Sequence, residues 1–186
     1  PTESKNESKS VIQENEFEQN ETLLATTAKE QTLNGEDAET TIRILFHGSC
    51  PKLSTRGVGN LEYEIGFDSN DEAYLRIAGN ASSGAFSNKW IPLNEIRPIL
   101  EKIEDQSFRA IVLSDLYSNQ SSNNHGYLGA VLKAEGVVIT LPKQPTVLQI
   151  GEWESLLERI DSWKKKEISL PDHIAKAAKK KANKTK

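Results

Sequence analysis

The residues of this sequence best suited to holding a ligand are aromatic and basic ones interleaved along apolar stretches: Tyr74, Arg76, Phe86, Lys89, Tyr127 and Lys133. Aromatic faces stack on nucleobases and cations hold a phosphate backbone, so these types together point to single-stranded nucleic acid. In Tyr74-Leu75-Arg76-Ile77 the alternation of a strand sends Leu75 and Ile77 to one face and Tyr74 and Arg76 to the other. With the apolar pair turned inward, Tyr74 and Arg76 form a stacking-plus-charge pair on the open face. Trp90 reads as core rather than as platform. Lys179, Lys180 and Lys181 lie in a lysine-rich end that could neutralise phosphates, with salt-sensitive and sequence-independent affinity. The same lysines would serve equally as a solubilising tail or as a weak, screened partner for an acidic head.

Nothing in the sequence assembles into a catalytic set, and no enzyme is expected. Cysteine catalysis needs a base placed against the thiol, and His47-Gly48-Ser49-Cys50 reads as a loop leaving the first strand. Glycines at Gly48, Gly57 and Gly59 flank Ser54-Thr55-Arg56 without the Gly-Lys-Ser/Thr of a phosphate loop. Three histidines and one cysteine are too scattered to argue for a metal. Neither a metal nor a cofactor is expected. Ser121-Ser122-Asn123-Asn124-His125-Gly126 has the composition of a flexible hairpin tip.

Charge divides the 186 residues, whose net value is −4. Pro1–Thr40 carries ten acidic residues against three lysines, and Lys164–Lys186 carries nine lysines against two acids. Few large apolar side chains occur in the first forty residues, too few to offset about 1–2 kcal/mol per residue of backbone ordering. The expected organisation is a disordered acidic segment over 1–40, one domain over 41–163 and a flexible lysine-rich tail over 164–186. No window approaches the run of about 18 apolar residues that a spanning helix needs, so no membrane partner is expected. A single cysteine excludes an internal disulfide. With no basic-then-apolar signal at the start, it fits a reducing cytoplasm, the expected location.

The elements that must position these residues follow from the period of the apolar side chains. Strands are predicted at Thr41–Phe46, Leu61–Ile65, Tyr74–Ile77 and Ala85–Ile91, then a helix through Ile96, Ile99, Leu100 and Ile103 capped by Asn94. The order then repeats: a strand at Phe108–Leu116, a polar loop at Asn119–Asn124, strands at Tyr127–Ala134 and Val137–Leu141, a turn at Lys143–Pro145 and a helix around Gly151–Trp163. The helices Ile96–Glu104 and Trp153–Asp161 match position by position in residue type. The expected fold class is therefore α+β. Duplicated strand-strand-strand-helix units (about 58–105 and 106–163) would form a curved antiparallel sheet packed on two helices.

Ala73-Tyr74-Leu75-Arg76-Ile77, Gly84-Ala85-Phe86-Ser87 and Trp90-Ile91-Pro92-Leu93, followed by a helix rich in Ile and Leu, resemble the PUR repeat. Whirly-type single-strand binders share its plan of strands followed by a helix. In the second half the resemblance rests on element order, with Val138-Ile139-Thr140-Leu141-Pro142 and the last helix as local echoes. It implies two interlocked repeats binding single-stranded DNA or RNA on curved sheets. Against the family pattern, Asp68, Asp71 and Glu72 place acids where that family carries bases.

Two functions are therefore expected. One is non-enzymatic binding of single-stranded DNA or RNA by the sheet and the basic tail. The other is a protein-interaction module, an adaptor or inhibitor presenting an acidic core. A protein partner and a homodimer both remain open.

Overall fold

The computed structural model describes residues 41–82, 84–103, 106–118 and 121–174. The expected disordered segment 1–40 and Lys179, Lys180 and Lys181 lie outside them. The front half folds as its alternation requires. β1 (Arg43–Pro51), β2 (Asn60–Phe67), β3 (Ala73–Asn80) and the two-residue β4 (Ile91–Pro92) form an antiparallel sheet in chain order. Leu61, Tyr63 and Ile65 of β2 lie on the core side, where Tyr63 pairs with Ile77 and Ile65 with Leu75 of β3. The β2–β3 turn is held by the Asp68 carboxylate, which accepts hydrogen bonds from the N–H groups of Asn70 at 2.8 Å and Glu72 at 3.0 Å. These donors, with the side chains of Tyr74 and Asn70, outweigh the desolvation that would raise the carboxyl, and hold it below its usual range.

The strand expected over Ala85–Ile91 shrinks to β4. The backbone N–H of Ser87 donates instead to the Asn124 side-chain oxygen at 2.8 Å, so a side chain from far along the chain replaces a neighbouring strand. α1 (Leu93–Glu101) forms where its periodicity predicts, burying Leu93, Ile96 and Leu100. Its N-cap is Pro92 rather than Asn94. Pro98 is accordingly its sixth residue, and its ring supplies no N–H to the carbonyl of the exposed Asn94 four residues earlier.

The second half departs from the expected repeat. Phe108–Leu116 is not a strand: apart from an isolated bridge between Phe108 and Leu148, Ala110–Tyr117 is a 3-10 helix. Its buried residues include Ala110, Leu113 and Leu116, a period of three, which is the repeat of a 3-10 turn. Tyr127–Ala134 belongs to a helix, α2 (Asn124–Ala134), rather than to a strand. α2 packs on the 3-10 helix and touches β1, β2 and β3. Burial on several sides removes the polar stripe by which a helix is recognised in a sequence. Gly136, at φ +83°, closes α2 in the left-handed conformation. The N–H of Gly136 donates to the Lys133 carbonyl at 3.1 Å and that of Val137 to the Leu132 carbonyl at 2.9 Å, the paired bonds of a Schellman motif.

β5 (Val138–Leu141) and β6 (Gln144–Ile150) form a separate hairpin turning at Pro142–Lys143, and α3 (Glu154–Lys165) follows. β6 thus runs through the turn expected at Lys143–Pro145. The molecule is α+β, while the duplicated unit does not extend into the second half. Among the described residues no helix is long and apolar enough to cross a membrane.

The chain does not leave the fold at Trp163. Trp163 stacks on Phe46 with centroids 4.8 Å apart and planes 4° apart, and α3 continues to Lys165. The N–H of Leu170 then donates to the Ile44 carbonyl at 2.8 Å, capping part of the free edge of β1. Between sheet and helices, the Tyr63 hydroxyl donates to the buried Glu135 carboxylate, which also pairs with Arg159 of α3 at 2.5 Å. Gly48 makes room for that tyrosine: a Cβ there would fall 2.1 Å from the Tyr63 ring.

Candidate phosphate pocket and the polar row of the sheet

The sheet face expected to hold a ligand is occupied by the protein's own charges. Leu75 and Ile77 do point inward, and Tyr74 and Arg76 share the opposite face. Arg76, however, is only 6% exposed. Its Nε donates to Glu64 Oε2 at 2.7 Å, its Nη2 to Asp172 at 2.7 Å, and its guanidinium lies 4.3 Å from the centre of the Trp90 ring. A buried arginine engaged through Nε and Nη2 and covered by an indole is a structural group rather than a platform for phosphate. The Tyr74 hydroxyl is turned to Asp68 at 3.2 Å.

The other predicted residues are dispersed. Phe86 is half-buried beside Asn88 and His173. The Lys89 ammonium donates to the Leu116 carbonyl at 2.9 Å. Lys133 is exposed in the last turn of α2. Tyr127 alone reaches a cavity with cationic character, and it does so from a helix rather than from a sheet.

That cavity, of about 330 Å³, lies where the loop after β1, the start of the 3-10 helix, the first turn of α2 and β6 meet. Lys52, Arg109 and His125 line it with the hydroxyls of Ser54, Ser122 and Thr146, and no acidic residue does. Lys52 is held in place by bonds to the Val58 carbonyl at 3.1 Å and the Ser82 hydroxyl at 2.5 Å, with its ammonium 5.7 Å from the Tyr127 ring centre. Arg109 is exposed and makes no salt bridge among the described residues.

α2 offers its positive end to the same cavity. Asn123 stands at the N-cap without a side-chain cap bond, and no acid occupies the first turn. Gly126, in that turn, leaves open space where a Cβ would stand, so a ligand can approach the backbone. Asn124 spends its oxygen on Ser87, and its buried Nδ2 has no hydrogen-bond partner. The Tyr117 hydroxyl nearby is also buried and unpartnered, and burial pushes its ionisation far above the ordinary range.

The 3-10 helix is followed by α2 and then by the β5–β6 hairpin, with Phe108 bridging to β6. Sequence reasoning misses this order because the apolar runs Phe108–Leu116 and Tyr127–Ala134 read as strands around a polar loop at Asn119–Asn124. Two signals were present: Asn123-Asn124 as a helix start, and Lys133 followed by Gly136 as a helix stop. On the sheet, His47, Glu64 and Arg76 form a row across β1, β2 and β3, each directly opposite the next. The row is covered by Asp172 and His173 from beyond α3. Two of the three histidines that looked scattered therefore meet at one glutamate. No family model, no curated protein and no solved structure matches this chain.

Proposed function

We propose that the chain binds nucleic acid through its phosphate backbone, at the cavity that opens on the start of α2. The observation that carries this reading is the coincidence of an uncapped helix N-terminus, two cationic side chains and three hydroxyls around a cavity with no acid in its lining. Helix N-termini, Arg, Lys and Ser are the groups that take phosphate oxygens in protein–nucleic acid interfaces. In this reading the sheet is a scaffold rather than a platform. α2 is mostly buried and offers little side-chain surface to base edges, so binding follows backbone charge more than sequence.

The test is a titration of the full-length protein into labelled single-stranded DNA, RNA and duplex DNA at two salt concentrations. Arg109→Ala weakens binding to all sequences alike and lowers the slope of log affinity against log salt by about one. Gly126→Asp places a carboxylate in open space beside the helix start. It removes binding while leaving the fold as stable or more so, since acids favour a helix N-terminus. Wild-type protein that binds none of the three at low salt, or variants that bind as wild type does, overturns the proposal.

One observation favours a protein-interaction module instead. Ile139 on β5 is 51% exposed, and β5 pairs only with β6 among the described residues. Its outer edge is then open to an extended segment of a partner. Failure of the wild type to bind nucleic acid at low salt would leave this reading in place.

A further inference from the structure

The β1–β2 register sets His47 opposite Glu64, and the chain returning past α3 brings His173 over the same carboxylate. His47 Nε2 lies 3.3 Å from Glu64 Oε1, and His173 Nδ1 lies 3.8 Å from the same oxygen. All three ligand atoms fall within 4.8 Å of one another. A tetrahedral ion with bonds of about 2.0–2.2 Å spaces its ligands at roughly 3.4 Å. Two of the three separations therefore need to change by less than about half an ångström.

The carboxylate is already oriented for the task. Glu64 is fully buried; Arg76 holds Oε2, while Oε1 accepts the backbone N–H of His173 at 3.2 Å and lies beside the two imidazoles. Arg76 in turn grips Asp172, whose carboxylate also accepts the N–H of Ile174 at 2.8 Å, so the turn that carries His173 is fixed as well. Outer partners of this kind set ligand orientation in metal sites. The two imidazole rings pack against each other, with centroids 3.7 Å apart and planes tilted by 42°, so both lie beside the same carboxylate.

The geometry points to a binding site for a divalent transition-metal ion of the zinc class, formed by His47, Glu64 and His173. Two imidazoles and one carboxylate suit such ions and not calcium or magnesium, which take oxygen donors. Three protein ligands leave one position for water or an exogenous ligand. A groove of about 410 Å³, lined by Glu62, Phe86, Asn88 and His173, opens beside the site.

The test uses the full-length chain freed of metal with a chelator, then titrated with Zn²⁺ by calorimetry and with Co²⁺ by visible absorption. One equivalent binds, and Co²⁺ develops d–d bands of low-symmetry coordination. His47→Asn and His173→Ala each weaken binding by more than about tenfold. His125→Ala, which alters the one histidine outside the proposed site, leaves metal binding unchanged. The His173 side chain is 44% exposed, so its removal keeps the fold, checked by circular dichroism. With Zn²⁺ the midpoint of thermal unfolding rises for wild type and not for His173→Ala. The proposal is overturned by the absence of saturable binding, by binding indifferent to His47 and His173, or by binding lost with His125.

Discussion

At the scale of single residues, the surroundings decide which side chains are available for chemistry. Cys50 is buried, and that burial, with the nearby Glu135 carboxylate acting in the same sense, pushes its thiol up to about 11. The thiolate is the reactive form, so Cys50 is inert at neutral pH despite its histidine three residues earlier. In the native protein it should resist iodoacetamide at pH 8, and in urea it should react fully. Rapid stoichiometric labelling of the folded chain would contradict this. Because the folded value is raised, the thiol stays protonated in the fold while the unfolded chain ionises near 9. Cys50 therefore leaves stability unchanged below about pH 9 and lowers it as pH rises from there through 11. Arg76 teaches the same lesson from the other side. Alternation correctly gave its face, but alternation reports orientation and says nothing of what covers that face. Glu64 likewise read as the polar side of a half-buried strand. Its burial depends on Arg76 twelve positions away and on His173 at 109 positions, a separation no local pattern encodes.

At the scale of elements, the strands and helices that keep one polar face were legible, and those with apolar side chains on several sides were not. β2, β3, α1 and α3 each keep a polar stripe, so their periods survive in the sequence. α2 loses its stripe to the 3-10 helix and the sheet, and its run of apolar residues then mimics a strand. The Schellman closure at Gly136 is the local evidence that competes with this impression. Gly136→Ala forces a Cβ into the left-handed region, where open space spares it any clash. The expected cost is conformational alone, about 1–2 kcal/mol by urea denaturation. A substitution without effect would show that α2 does not depend on that cap.

At the scale of the whole molecule, the segment beyond α3 completes the structure. Leu170 caps the edge of β1, Asp172 satisfies Arg76, and His173 covers Glu64. A chain ending at Glu167 keeps α3 intact but loses all three contacts. It exposes a charge pair built for burial and reopens a strand edge. It should melt several degrees lower, since about 1 kcal/mol moves a domain of this size by roughly 2–4 °C. An unchanged midpoint in a thermal scan would show that the segment merely rests on the sheet. Composition places the domain boundary at Trp163 because lysines dominate beyond it. Composition averages over the few residues, Leu170, Asp172 and His173, that make the contacts.

The parallel stack of Trp163 on Phe46 has an optical consequence. Trp163 sits at the end of α3, just before the segment that closes over the sheet, whereas Trp153 is buried in the core. An indole stacked this closely on a second ring contributes a near-ultraviolet dichroic band that disappears when the rings part. With Trp153 replaced by phenylalanine, the emission of the remaining indoles and that band would together report release of the C-terminal end as a step separable from global unfolding. The molecule thus carries an intrinsic spectroscopic gauge of whether its last contacts are made.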